Sequence, residues 1–577
     1  MIRRTLSIAL GLLLPGLLLL PTPAASQSGD RGRGGVTSPG ARQEMSRLED
    51  GNEGQVFLGA FRTILEYHRT TFSDSLLWEQ ALNGLLQGLN DPYATVFTAE
   101  EFGAFQEENT GEYAGIGVQI TRLNERVTIT AVFRQTPAAE AGLMVGDRIV
   151  VVGETDARDW SVDQARDSIR GPAGTQVVLT VDRQGLPGPL TFPIRRQNVH
   201  VPSVTASMVH DSLGYIQVDR MAEGSSSEVD SALLVLRDAK GIILDLRRNP
   251  GGPMVESLYM ADLFLERGKT LAAMRSRTPG RANATTDESW AGRTSPRIPG
   301  KPMIVLVDGF TASAAEIVAG ALQDHERAVV VGERTFGKGV VQTILPLPGD
   351  RRIRITTGDW MTPLGRSLHI PRDLDGRPLA PSVQPQPDGS PGPTMQTEGG
   401  ERVPSVVTAG GRVLRADGGV YPDLVVADDT LSTAEQNLLV ESARAGVPLT
   451  LRIAEFSFEQ SRMASEEGRA RELAPGAFEG FLESLRAEGV PGEVLDHSSA
   501  QAYLRWRVRM SFADRLGDNQ LVLEAQAERD TVLAEAIRLL EEAGSQADLF
   551  ATVDRESARA LSLQAPALSS ASTGGGG

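Results

Sequence analysis

The sequence predicts an α/β protein. It has a layered core of alternating strands and helices, an inserted small β-barrel domain, a helical N-terminal region and a mostly helical C-terminal extension. Three observations predict this. Strand-like and helix-like stretches alternate through residues 212–265 and 302–426. Short β-type runs separated by turns fill residues 110–197. Apolar residues recur at helical spacing before and after these segments.

Composition bounds the function. The 577 residues allow several domains, at about 100–200 residues each. A net charge of −17 repels phosphate backbones and argues against a nucleic-acid partner. With no cysteine, disulfides, thiol catalysis and Cys-ligated metals are excluded.

Residues 1–26 read as a signal peptide. Arg3 and Arg4 precede an apolar run from Leu6 to Leu20, and small residues follow at Ala24, Ala25 and Ser26. The run is short for a membrane span and contains Pro15. Cleavage is therefore expected over retention as an anchor, which leaves no stable span. Residues 27–43 are rich in Gly, Ser and Arg and read as a disordered linker.

The region 44–108 is expected to be helical, carried by Phe57, Phe61, Ile64, Leu65, Leu82, Leu86 and Leu89. Asn90-Asp91-Pro92 ends that pattern. Residues 109–197 hold the β-barrel domain, with GIGVQI, RVTITAV, DRIVVVG, QVVLTVDR and LTFPIRR as strands and two short helices. The core spans 198–426. KGIILDLR, PMIVLVDG and AVVVG are its buried strands, and SSEVDSALLVLRD, PMVESLYMADLFL and SAAEIVAGALQD its helices. Residues 275–300 read as an exposed loop, and 371–410 as a long flexible insertion. The extension 427–565 is expected to be a helical domain for packing or partner binding, with no chemical motif, and 566–577 a disordered tail.

Three segments could carry chemistry. VGERTFGKG, 331–339, has the G-x-x-x-x-G-K spacing of a phosphate loop. Gly339 replaces the metal-binding Ser or Thr, however, and the β-like VVQTILPLP follows instead of a helix. Lys338 instead sits among Phe336, Val340 and Val341. Burial there would lower its pKa and let it act as a general base. In GFTASAAEIVAGALQD, Ser313 follows a buried strand at a helix start. It reads as an N-cap, or as a nucleophile beside the free amide of Ala314. DLRRNPGG, 245–252, ends a buried strand, either as a plain turn or as a loop that offers the amide of Gly251 or Gly252 to an oxyanion. The six histidines form no H-x-x-x-H pair, and no serine lies in G-x-S-x-G. A metal site and a Ser-His-Asp triad therefore lack support, and no cofactor is expected.

Taken together, these segments resemble the C-terminal processing peptidases, or tail-specific proteases. The resemblance runs from about residue 45 to 426. It rests on LNDPYATVFTAEEF, YAGIGVQI with TPAAEAGLMVGDRIVVVGE, DLRRNPGG, TASAAEIVAGALQD, GERTFGKGVVQ, TTGDWMTPLGRSL and GGVYPDL, in the family's order. It implies a ClpP/crotonase-like layered peptidase core with an inserted PDZ domain over 109–197. It implies a serine endopeptidase that recognises protein C-termini and cuts near them by a Ser-Lys dyad. Ser313 would be the nucleophile, Lys338 the base and Gln342 its orienting partner, since positions 338 and 342 face the same side of a strand. The amides of Ala314 and of Gly251 or Gly252 would form the oxyanion hole.

In the PDZ segment, the amides around Gly115, Ile116 and Gly117 would take a substrate carboxylate, and Ile116 and Val118 would pocket an apolar last residue. Unfolded or tagged C-termini are the implied substrates. The resemblance also allows an adaptor protein and a homodimer, and places the protein in the periplasm or cell envelope. Thr311 and Ala315 stand where the family has serines, and Arg248 where it has asparagine. No catalytic group is missing. The rival readings are an inactive PDZ scaffold or chaperone and a chymotrypsin-like enzyme, and the latter would need a catalytic histidine.

Overall fold

A computed structural model describes residues 51–564, apart from 134, 184, 282–283, 380–393, 397–401 and 469–470. The expected signal segment, linker and tail lie outside the described residues, as does most of the middle of the 371–410 insertion. The chain forms two compact units, one up to Gln80 and one from Ala81. In the first, the helix Asn52–Tyr67 packs Phe57 and Phe61 against Trp78, with ring centroids 6.0 and 4.2 Å apart. No helix among the described residues is long and apolar enough to cross a membrane.

The second unit is built on a six-stranded sheet. Its order is Val204–Val209, Leu213–Val218, Gly241–Asp245, Met303–Val307, Val329–Gly332 and Leu424–Val425. The first pair is antiparallel and the other pairings are parallel. The central runs GIILD, MIVLV and VVVG are buried at every position. Unbroken apolar runs of this kind belong to strands covered on both faces. Alternate side chains serve the two faces. Ile242, Leu244, Met303, Val305 and Val330 cluster with Ile317, Val318 and Ala321 of the helix Ala314–Asp324. Ile243, Ile304, Leu306, Val329 and Val331 cluster with Leu533, Ile537 and Leu540 of the helix Thr531–Glu542.

That second face is covered by the C-terminal extension. The extension is helical, as expected, and its helices fall into two clusters. Helices between Thr433 and Leu516 share their own core around Phe481, Leu485 and Leu504. The helices Asn519–Ala527, Thr531–Glu542 and Gln546–Gln564 follow them in the chain. Leu523, Leu533 and Leu549, one from each, join the core cluster of the sheet face that the core's own helices leave bare. The sheet needs two apolar layers, and the sequence order hides where the second one comes from.

A five-stranded antiparallel sheet flanks this core. It joins Thr95–Phe97, Arg352–Met361, Thr270–Arg277 and Thr285–Ala291, with Val340–Pro346 also paired to Arg352–Met361. The stretch 275–300, expected as a loop, thus contains a strand. TTDESWA has little apolar signal. Its strand is held by cross-strand pairing, including the Arg275–Asp287 ion pair at 2.8 Å, and by Trp290 against the core. Part of the 371–410 insertion is also ordered: Thr394–Gln396 and Arg402–Val407 pair with each other, and the latter with Val413–Arg415. Val403 is the buried anchor there.

The β-barrel domain has the strand order Val118–Leu123, Arg126–Val132, Arg148–Val152, Gln176–Asp182 and Leu190–Arg195. Val118–Leu123 is an edge strand beside the helix Val162–Ile169. The helix Leu449–Glu466 of the extension touches this domain, where Glu455 Oε1 accepts from the Asn124 N–H at 2.8 Å.

Because Leu533 is fully buried on the sheet, Leu533→Ala is expected to destabilise the second unit by about 2–5 kcal/mol. Urea unfolding of the purified protein measures this.

Candidate active site

Ser313 precedes the helix Ala314–Asp324, after the strand Met303–Val307. It stands at the N-cap position, but with φ 55° and ψ −118°. Ordinary capping residues are extended, and a serine at positive φ is strained. The turn is held by Thr311, whose hydroxyl donates to the Leu246 carbonyl at 2.9 Å, and by Asp308, which accepts from the N–H groups of Phe310 and Thr311. Thr311 thus holds the turn through its hydroxyl.

Sequence reasoning missed the residue that ties the site together. Glu316 is completely buried. Its Oε2 accepts from the N–H groups of Ser313 and Lys338, both at 2.8 Å. Its Oε1 accepts from the Thr335 hydroxyl at 2.5 Å and the Gly337 N–H at 2.8 Å. One carboxylate therefore grips the two segments that carry Ser313 and Lys338. Burial raises its pKa, and the four donors pull against that. The signal was present in the sequence as the capping-box spacing Ser313-x-x-Glu316.

Lys338 is half-buried, with its Nζ 4.9 Å from the centroid of the Tyr93 ring. Burial, then the like charge of Arg354, lowers its pKa from the ordinary lysine value, while Glu316 and Asp91 oppose. Gln342 donates from Nε2 to the Tyr93 carbonyl at 2.8 Å. The expectation that positions 338 and 342 share one face of a strand does not hold. The strand begins at Val340, and its register shifts between Val341 and Gln342. Both residues still line one cavity of about 650 Å³ with Ser313, Ala314, Gly251 and Gly252.

The loop after Asp245 reaches this cavity under tight constraint. Asn249 donates to the Val218 carbonyl at 2.8 Å and accepts from the Gly251 N–H at 2.9 Å. The Gly251 amide is thus already bonded, which removes it as an oxyanion donor. Among the described residues, the amides of Gly252 and Ala314 have no protein acceptor. Gly251, at φ +92°, lies so close that a Cβ on it would stand 2.8 Å from the Ala314 nitrogen. Arg248 adopts φ 60°, and its N–H donates to the Asp308 carboxylate at 3.0 Å.

The segment Gly115–Val118 lies elsewhere, at the start of the edge strand of the β-barrel domain. Ile116 is buried in that domain's core, so its side chain cannot line a ligand pocket as expected. Val118 packs beside it, partly buried. Gly117, at φ +86°, has no room for a Cβ, which would stand 2.4 Å from Thr136. Burial raises the pKa of the Tyr113 hydroxyl, against the Arg170 charge, which lies 4.5 Å from its ring centroid.

Residues 212–374 match peptidase family S41, and residues 105–182 match the PDZ domain. A carboxy-terminal-processing protease of Bartonella bacilliformis is 35% identical over 327 residues, which cover 54% of this chain and 72% of that protein. The chain belongs to peptidase family S41. It is a serine-type peptidase carrying a PDZ domain. The carboxy-terminal processing protease CtpA of Bacillus subtilis is 33% identical over 306 residues, covering 53% of this chain and 64% of that protein. Among solved structures, a photosystem II D1 C-terminal processing protease is 25% identical, with a TM-score of 0.31, covering 59% of this chain and 94% of that one. The PDZ domain of a Vibrio cholerae carboxy-terminal protease, solved with a peptide, is 29% identical at a TM-score of 0.15, covering 16% of this chain and 99% of that one.

Glu316→Gln would turn an amide NH₂ toward N–H and O–H donors in a dry site. It is expected to destabilise the second unit by about 1–3 kcal/mol and to disorder both loops, seen as faster amide exchange at Gly337 and Lys338.

Proposed function

We propose that this S41 peptidase cuts polypeptides near their C-termini by acyl transfer, with Ser313 as nucleophile and Lys338 as general base. The observation that carries this reading is the joint hold of Glu316 on the Ser313 and Lys338 segments beside two unbonded amides. Neutral Lys338 takes the Ser313 hydroxyl proton as Oγ attacks the substrate carbonyl. The N–H groups of Ala314 and Gly252 receive the negative charge on the carbonyl oxygen. The Lys338 ammonium gives its proton to the leaving amine. Water, activated by the same lysine, then hydrolyses the ester. Gln342, held by the Tyr93 carbonyl, keeps the lysine chain in place.

The PDZ domain presents substrate C-termini. A peptide would add alongside the edge strand Val118–Leu123, with its carboxylate on the amides around Gly115, Ile116 and Gly117. The signal-like segment supports export to the periplasm or cell envelope.

A serine-reactive fluorophosphonate should label the wild type but not Ser313→Ala, and proteolysis of an unfolded substrate should fall by several orders of magnitude in Ser313→Ala and Lys338→Ala. Near-full activity in either variant sinks the assignment. Lys338 must lose its proton to act, so kcat/KM should rise with pH, with a midpoint below the lysine reference of about 10.4. Arg354→Gln removes a like charge, raises the Lys338 pKa and moves that rise to higher pH. Peptides with amidated C-termini should be cut more slowly than free ones. Equal cleavage of the two peptides would reject carboxylate recognition.

A further inference from the structure

The loop that carries Gly252 is anchored at several points, and one of them lies outside the α/β core. Arg247 places Nε and Nη2 on Asp245, at 3.0 and 2.6 Å. Its remaining donors reach Asp530, with Nη1 at 2.8 Å from Oδ1 and Nη2 at 2.7 Å from Oδ2. Asp530 lies 283 residues away, in the C-terminal extension, where it caps the helix Thr531–Glu542 by accepting from the Leu533 N–H at 2.9 Å. The pair is shielded: the side chains of Arg247 and Asp530 are 11% and 12% exposed. Asp245 is buried and also accepts from the Tyr215 hydroxyl at 2.8 Å. Asp428 adds a third carboxylate, 3.8 Å from Nη1. Burial works against the Arg247 charge, but Asp245 and Asp530 outweigh it and hold its pKa above the ordinary arginine value. A bidentate arginine pair fixes direction as well as distance.

We infer that Asp530 is a positioning residue for the oxyanion hole, and that the C-terminal extension thereby sets the register of the Arg247–Gly252 loop against Ser313. The inference rests on the reading of Gly252 as an oxyanion donor. Its logic is geometric. Gly251 already touches the Ser313–Ala314 turn closely enough to exclude a Cβ. Loss of the Asp530 anchor would let the backbone at Arg247 shift, and a shift passed along the loop would carry the Gly252 amide off the position of the developing charge. Misplacement of about 1 Å at such a donor is enough for a 10²-fold rate loss. Without Asp530, Arg247 keeps Asp245, but Nη1 loses its hydrogen-bond acceptor and is left with Asp428 at 3.8 Å.

Asp530→Asn is the informative variant, because asparagine keeps the helix cap and removes the charge that fixes Arg247. Expected is a kcat at least about tenfold lower with KM within about twofold, and fluorophosphonate labelling of Ser313 slowed by the same factor. Asp530→Ser, which keeps a capping oxygen but cannot reach Arg247, should lose kcat similarly, and Asp530→Glu should regain part of it. Glu435→Gln is the control. It breaks the neighbouring Arg529–Glu435 pair at 2.9 Å without touching the loop, and should leave kcat unchanged. Rates are read on the folded fraction after size exclusion, so poor yield does not imitate the effect. Wild-type kcat in folded Asp530→Asn or Asp530→Ser, in a preparation where Ser313→Ala is inactive, overturns the inference. If Ser313→Ala is itself active, the reading of the dyad has failed instead.

Discussion

Glu316 accepts four hydrogen bonds in a site with no water-facing surface, and the rest of the candidate site is arranged around that carboxylate. Its donors come from the helix start that bears Ser313 and from the loop that bears Lys338. A buried carboxylate left without partners is strongly unfavourable, so all four donors must converge at once. That requirement forces two segments, 25 residues apart in number, into one place. It also holds Ser313 at positive φ, a conformation that persists only where surrounding bonds over-determine it.

The same constraint shapes the electrostatics. The Glu316 charge raises the Lys338 pKa, while burial and Arg354 lower it, and the lowering wins. The acid lies under the backbone of Lys338 and contacts it through the N–H, so it anchors the loop without a direct ion pair to Nζ. This separation matters for the proposed chemistry. A carboxylate paired with the ammonium would keep it protonated, whereas the Tyr93 ring beneath Nζ offers only a weak cation–π contact.

The extension after residue 427 changes meaning once its packing is known. Its last helices complete the hydrophobic core of the catalytic sheet, Asp530 reaches the loop beside Ser313, and Glu455 touches the PDZ domain. The segment with no chemical motif therefore contacts the core sheet, the Arg247 loop and the PDZ domain.

Much of this was legible in the sequence. Unbroken apolar runs such as GIILD and MIVLV announce strands buried on both faces, and the motif order around Ser313 and Lys338 marks the peptidase family, because period and residue type are local properties. The strand Thr285–Ala291 was not legible, since its stability comes from cross-strand partners rather than its own composition. Nor was the fate of individual groups. The loss of the Gly251 amide to Asn249, the burial of Ile116 and the register shift before Gln342 depend on where a side chain or a neighbouring strand arrives in space. The sequence by itself determined the layered fold, the order of its domains and the residue types available for chemistry. Only the tertiary structure decided which amides stay free, which carboxylate holds the site and which distant helix covers the sheet. Those outcomes follow from hydrogen-bond satisfaction and packing between segments far apart in the chain, and no local pattern encodes them.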